Sequence, residues 1–246
     1  MACVSRDKQP SPRPIQLRPS RGLPYLRVEA QPNLPASFIR TFPVTLSLVL
    51  TITVIGVVTG AIGHAHFQTV LDTLGFDLAA LKHGRFYVLP LGPLVQDRPG
   101  LPWKVVLLII VVAVFAGPLE YLARPWRTAF TYFVTDFVST VGSTLLLWGL
   151  AALGSARAHD YIHTPDLGSS SAAFGCAAAF AAMLPGRWRL AVTAGLIAYL
   201  LASLVIVRHV FAAEHAIAAL AGFALGLVWR QAASRQTGQT GKGSAA

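Results

Sequence analysis

Apolar residues run through this chain in long blocks separated by short polar connections, and the blocks predict helices. They lie near Thr41–Gly63, Trp103–Ala123, Arg127–Leu153, Ser169–Leu184, Leu190–Val207 and Glu214–Trp229. Several reach the ~18–20 residues that a helix needs to cross a hydrocarbon core of about 30 Å. The fourth is short for a span, so it must be shielded by neighbours or begin below the membrane surface. The pattern predicts an all-α integral membrane protein with six transmembrane helices. Residues 41–230 form the membrane domain, 1–40 a cytoplasmic tail and 231–246 a short flexible cytoplasmic end. The connection from His64 to Pro102 carries an amphipathic piece, FQTVLDTLGFDLAAL, and then the proline-bearing FYVLPLGPLV. Such a segment is expected to lie in the interface. No internal repeat is evident.

Composition agrees with this picture. Hydrophobic residues make up 54% of the 246 and charged residues 12%, about half the roughly 25% of soluble domains. The net charge of +10 would raise the question of nucleic acid in a soluble protein. Here seven of the twenty Lys and Arg fall in the first forty residues, among prolines and few apolar groups. That composition predicts a disordered tail, and its charge is assigned to topology and anionic headgroups, with no nucleic-acid partner. Cys3 and Cys176 lie in the tail and in an apolar block, so no disulfide framework is implied. The first apolar run is too long and starts too late for a cleavable signal peptide. With the amino terminus in the cytoplasm, fourteen of the twenty Lys and Arg fall on the inner side, including the short ARPWR and PGRWR turns. The positive-inside rule then predicts a cell-membrane protein with both termini cytoplasmic.

Under this topology the fourth and sixth helices both run inward, so Ser170 and His215 lie near the outer surface. Helical spacing from Ser170 gives Ala173, Ala177 and Ala181, and from His215 it gives Ala218, Ala219, Gly222 and Gly226. Together with Gly175, these small residues suit close helix packing in lipid. If the stripes face each other, Ser170 meets a histidine able to act as its base. The alternative is that DLGSSSAAFG only packs and caps a helix.

Other polar groups carry readings of their own. Asp136 lies within the third helix among Thr131, Thr135, Ser139 and Thr140. An ionisable residue at that depth is either functional or a hydrogen-bonded tie between helices. Glu120, close to Arg124, reads as an ion pair or helix tie. All seven histidines (His64, His66, His83, His159, His163, His209 and His215) lie outside or at the outer ends of helices, and His64 with His66, or His159 and His163 with Asp160 and Asp166, could ligate a divalent metal. No motif such as H-E-x-x-H supports that, and no metal or cofactor is expected.

Three motifs carry a family resemblance. GSSSAAFG, Gly168–Gly175, resembles the G-x-S-G motif of rhomboid proteases with its following F-G. HAIAALAGFALG, His215–Gly226, is similar to the rhomboid last helix, and GPLE, Gly117–Glu120, to the end of its second. The similarity covers Phe42 to Val228 and implies a six-helix rhomboid-like bundle of bacterial type. By resemblance, Ser170 would be the nucleophile and His215 the general base in cleaving a transmembrane helix of a membrane-protein substrate, within the lipid bilayer and without cofactor. Backbone N–H groups near Gly168, Ser170 and Ser171 would support the oxyanion. The chain departs from the family at Ser171, where the motif has glycine. It departs also at Lys104 and Leu108, where a histidine and an asparagine usually stand, and at HGRFYVL, His83–Leu89, where a Trp-Arg pair is usual. The competing readings are an inactive rhomboid-like protein that binds transmembrane helices, and a small transporter or metal-handling protein using Asp136 and the outer histidines.

Overall fold

The computed structural model describes residues 39–58, 67–76, 80, 82–95, 102–162, 167–206 and 210–240. The tail, the amino-terminal forty residues but for the last two, and His64, His66, His163, Asp166 and His209 lie outside the described residues, as does the side chain of Lys104. No strand occurs among the described residues. The helices are α1 (Pro43–Val58), α2 (Phe67–Leu74), the short α3 (Val88–Leu91) running into a 3-10 turn at Gly92–Leu94, α4 (Pro102–Ala123), α5 (Pro125–Ala152), α6 (Ala156–Tyr161), α7 (Ser170–Met183), α8 (Gly186–Ile206) and α9 (Val210–Thr240).

Four helices contain stretches long and apolar enough to cross a membrane: Val105–Ala123, Pro125–Ala152, Gly186–Ile206 and Ala212–Arg235. Two more, α1 and α7, are apolar but shorter, at 16 and 14 residues. Large apolar side chains stand exposed on the outer faces, among them Leu50 and Val54 on α1, Ile110 and Val114 on α4, and Ile197 and Leu201 on α8. Water does not favour so extensive an apolar exterior, and hydrocarbon does. The described chain is therefore an all-helical, membrane-embedded protein.

The short α7 occupies the centre. Eleven of its fourteen residues are buried, from Ser171 to Ala182, so neighbouring helices shield it as its length requires. Ten of the fourteen are Ala, Gly or Ser, and small side chains allow backbones to approach. A methyl group added at Gly222 of α9 would overlap the carbonyl of Gly175, with the Gly175 carbonyl carbon 2.7 Å away. One at Gly226 would stand 2.8 Å from both Ala179 Cα and Ala182 Cβ, and one at Gly175 would run into Thr135 of α5. The line along which α7 meets α9 therefore passes through Gly175 and Ala179. Spacing from Ser170 placed that line through Ala173, Ala177 and Ala181; Ala177 is buried but lies off it.

α5 turns a stripe of hydroxyls inward: Thr128, Thr131, Thr135, Ser139, Thr140 and Ser143 are all buried. Several satisfy themselves on their own helix, as with Thr135 to the Thr131 carbonyl, Ser139 to that of Asp136 and Ser143 to that of Thr140. Such back-bonding lets a polar stripe face neighbours at little desolvation cost. Asp136 is buried on this stripe. Trp229 of α9 donates its Nε1–H to Thr131 at 3.2 Å. It also packs edge-on against Trp126 and Phe130, with the Arg127 guanidinium over its ring.

Glu120, at the end of α4, accepts from Val44 N at 2.8 Å, Thr45 N at 2.7 Å and Thr45 Oγ1 at 2.6 Å. Pro43 begins α1, so these amides belong to its first turn and have no acceptor within the helix. Glu120 is thus the cap of α1, a tie between helices. The connection after α1 folds back on itself, with Phe76, Ala80 and Val88 buried together. Its Arg85 side chain donates to the Asp72 carbonyl.

Candidate functional site

Three consecutive serines open α7, and burial separates them. Ser169 is 0% exposed and Ser171 2%, whereas Ser170 alone keeps part of its surface open. Ser170 is also the one facing a base. Its Oγ lies 2.9 Å from His215 Nε2, within a partly buried pair that joins the first turn of α7 to α9. In the Nδ1–H tautomer of His215, Nε2 accepts the serine proton, which is the arrangement an activated hydroxyl requires.

The imidazole is held from below. Phe174, one turn along α7 from Ser170, stacks on it with centroids 4.5 Å apart and planes at 30°. Phe174 is itself packed against Tyr199 of α8, stacked at 5.3 Å, and against Phe115 of α4, tilted at 5.7 Å. Aromatic contacts of this kind contribute about 0.5–1.5 kcal/mol beyond area burial.

Ser171 takes a different partner. Its hydroxyl donates to Glu214 Oε1 at 2.7 Å, between side chains 2% and 5% exposed. Consecutive serines of α7 are therefore bonded to consecutive residues of α9. With Glu120 and Asp136, Glu214 makes three buried carboxylates among the described residues.

The turn before α7 is shaped by Gly168, whose φ of 136° lies where L side chains are rarely found. Its N–H donates to the Gly92 carbonyl at 3.2 Å, and Tyr132 Oη donates to the neighbouring Pro93 carbonyl at 3.0 Å. The amide of Gly168 is thus used to dock the Gly92–Leu94 turn, and is already engaged as a donor. Within α7 the first internal bond near the site runs from Ala173 N to Ser169 O. The amides of Ser170, Ser171 and Ala172 precede it, and first-turn amides have no acceptor inside their own helix. They are the donors that could face a developing oxyanion.

Of the residues singled out by sequence, the structure brings together Ser170 with His215, and Gly175 with Gly222. Glu120 stands apart as the cap of α1, and Asp136 on the α5 stripe. Leu108 is a half-buried apolar residue of α4 with no side-chain donor. Among the described residues no group of three His, Cys, Asp or Glu is placed to hold a metal ion. Sequence reasoning missed Phe174 and Glu214. The signals were present, since Phe174 lies four residues after Ser170 and Glu214 immediately before His215.

The fold and site define a helical, membrane-embedded protein with a serine–histidine pair at the head of its most buried helix. No family model matches the chain, and no curated protein matches it.

Proposed function

We propose that this chain is a rhomboid-like intramembrane serine protease of the cell membrane, with a six-helix core and both termini cytoplasmic. The observation that carries the reading is the 2.9 Å approach of Ser170 Oγ to His215 Nε2 between two apolar helices of a membrane-embedded chain. The four long apolar helices with the shorter α1 and α7 accommodate six spans. The excess of Lys and Arg at the connections assigned to the inner side supports the orientation.

In this reading an unfolded stretch of a substrate's transmembrane helix enters beside Ser170. His215 Nε2 takes the hydroxyl proton as Oγ attacks the scissile carbonyl carbon. The carbonyl oxygen becomes an oxyanion facing first-turn amides of α7, where preorganised donors act most strongly. Protonated His215 then gives its proton to the leaving amine nitrogen, and the C–N bond breaks. Water then gives a proton to His215 Nε2 as it attacks the acyl carbon, and the bond to Ser170 Oγ breaks as Nε2 returns that proton to Oγ. No metal or cofactor takes part in these steps.

A second reading rests on Leu108, which offers no hydrogen bond where the resembled family has an oxyanion donor. Loss of one such donor typically costs ~10²–10³ in rate, and a chain so reduced would serve as a binder of transmembrane helices. The two readings part in one experiment. A fluorophosphonate probe on the purified protein should label wild type and not Ser170→Ala, with both equally folded. Wild type that stays unlabelled beside a labelled control protease would leave the binder.

A further inference from the structure

We propose that Glu214 and Ser171 are positioning residues: their buried hydrogen bond locks α7 against α9 in the rotation and register that hold Ser170 on His215. The inference rests on the protease reading for its consequence in rate, but the geometry it describes is measurable without catalysis.

The argument begins with helix geometry. Neighbouring residues on a helix point about 100° apart, and each step along the axis is about 1.5 Å. A single bond between two helices allows both to pivot about it. Two bonds leaving consecutive positions in different directions constrain pivot and slide together. Ser170 with His215 and Ser171 with Glu214 form such a pair of bonds, at 2.9 and 2.7 Å. The glycine contacts between α7 and α9 set how closely the helices approach, but packing of this kind has no direction of its own. A slide of one residue would carry Oγ well beyond the ~3 Å at which a base can take its proton.

The two bonds also differ in a useful way. The Ser170–His215 bond must be broken and remade in each turnover, because Nε2 carries the proton between oxygen and nitrogen. It cannot hold the helices while it is reacting. The Ser171–Glu214 bond joins side chains 2% and 5% exposed and takes no part in proton transfer. It remains in place throughout. The serine at position 171, in place of the glycine of the resembled motif, is consequently no obstruction beside the nucleophile. Its hydroxyl is drawn into the helix interface by Glu214. The substitution and its partner form one device.

The test uses the full chain in lipid nanodiscs, with the labelling rate of Ser170 by fluorophosphonate as one readout. The second is the 15N signal of His215 Nε2 in histidine-labelled protein, assigned among the seven histidines by a His215→Gln control. Glu214→Ala and Ser171→Ala should each slow labelling ~10–100-fold, the order expected for a displacement of about 1 Å in a reacting group. Both should move the Nε2 signal toward its position in Ser170→Ala. Glu214→Gln, whose Oε1 still accepts from Ser171, should recover most of the rate and leave the signal in place. The double variant should be no slower than Glu214→Ala alone, because the bond that Ser171→Ala removes is already lost there. Ser171→Gly, which restores the glycine of the resembled motif, should also slow labelling.

A wild-type rate and unshifted signal in Glu214→Ala would overturn the lock. So would acceleration by Ser171→Gly, or Glu214→Gln as slow as Glu214→Ala. Should wild type prove unreactive, the protease reading fails and the Nε2 signal alone decides. A shift in Glu214→Ala absent from Glu214→Gln sustains the lock, and no shift removes it.

Discussion

Phe174 and His215 lie face to face, with ring centroids 4.5 Å apart, and Phe174 is backed in turn by Tyr199. The imidazole thus has a flat floor on the same helix that carries the serine it serves. Replacing that floor by Leu keeps most of the volume but removes the plane. Phe174→Leu should therefore lower the fluorophosphonate labelling rate ~10-fold through misorientation of Nε2. The melting temperature serves as the control, and an unchanged rate would show that the stack does not orient the ring.

The contact between α7 and α9 predicts a contrast between two glycines. Gly222→Ala drives a methyl into the Gly175 backbone, which cannot move without separating the helices. Overpacking of this kind costs about 1–3 kcal/mol. At Gly142 a methyl meets only the Ile217 side chain, at 3.2 Å, and that side chain can shift. Reversible unfolding in mixed micelles should find Gly222→Ala clearly less stable than Gly142→Ala.

Glu120 predicts a graded loss. Glu120→Ala leaves two first-turn amides and the Thr45 hydroxyl without their acceptor, whereas Thr45→Val removes only the hydroxyl bond. A buried polar group left unpaired costs roughly 1–3 kcal/mol. Hydrogen exchange at Val44 and Thr45 should accelerate strongly in Glu120→Ala and weakly in Thr45→Val. Equal exchange in the two would place the cap elsewhere.

Asp136→Asn keeps the shape and much of the hydrogen-bonding capacity of a residue outside the serine–histidine pair. Independent sites combine with little coupling, and labelling of Ser170 should stay within ~3-fold of wild type. Loss of labelling in a well-folded Asp136→Asn protein would draw that carboxyl into the site. A transport role would instead show as lost flux in Asp136→Asn with flux intact in Ser170→Ala.

Much of this arrangement was legible in the chain, and the limit has a physical cause. Block lengths revealed the helices, and the order of the blocks suggested that Ser170 and His215 share one end, where their side chains meet. The rotation of α7 about its own axis was not legible. Ala172, Ala173, Ala177, Ala178, Ala179, Ala181 and Ala182 surround it with nearly identical side chains. A helix without a distinct face does not announce which side meets which neighbour, so the contact line was displaced and the Ser171–Glu214 bond escaped notice. Glu120 posed a different difficulty. Sequence offers an ion pair with Arg124 or a helix tie; the tie is what forms, but its partners, 75 and 76 positions away on another helix, could not be read from the chain.

That separation bears on the order in which the protein can be made. The first helix leaves the ribosome with its opening amides uncapped, and their acceptor belongs to a segment still to be translated. At about 5–20 residues per second, the wait is roughly 4–15 s. Its final seating is thereby deferred to the arrival of α4, so that the nascent chain caps α1 only once an acceptor 75 positions further on has been made.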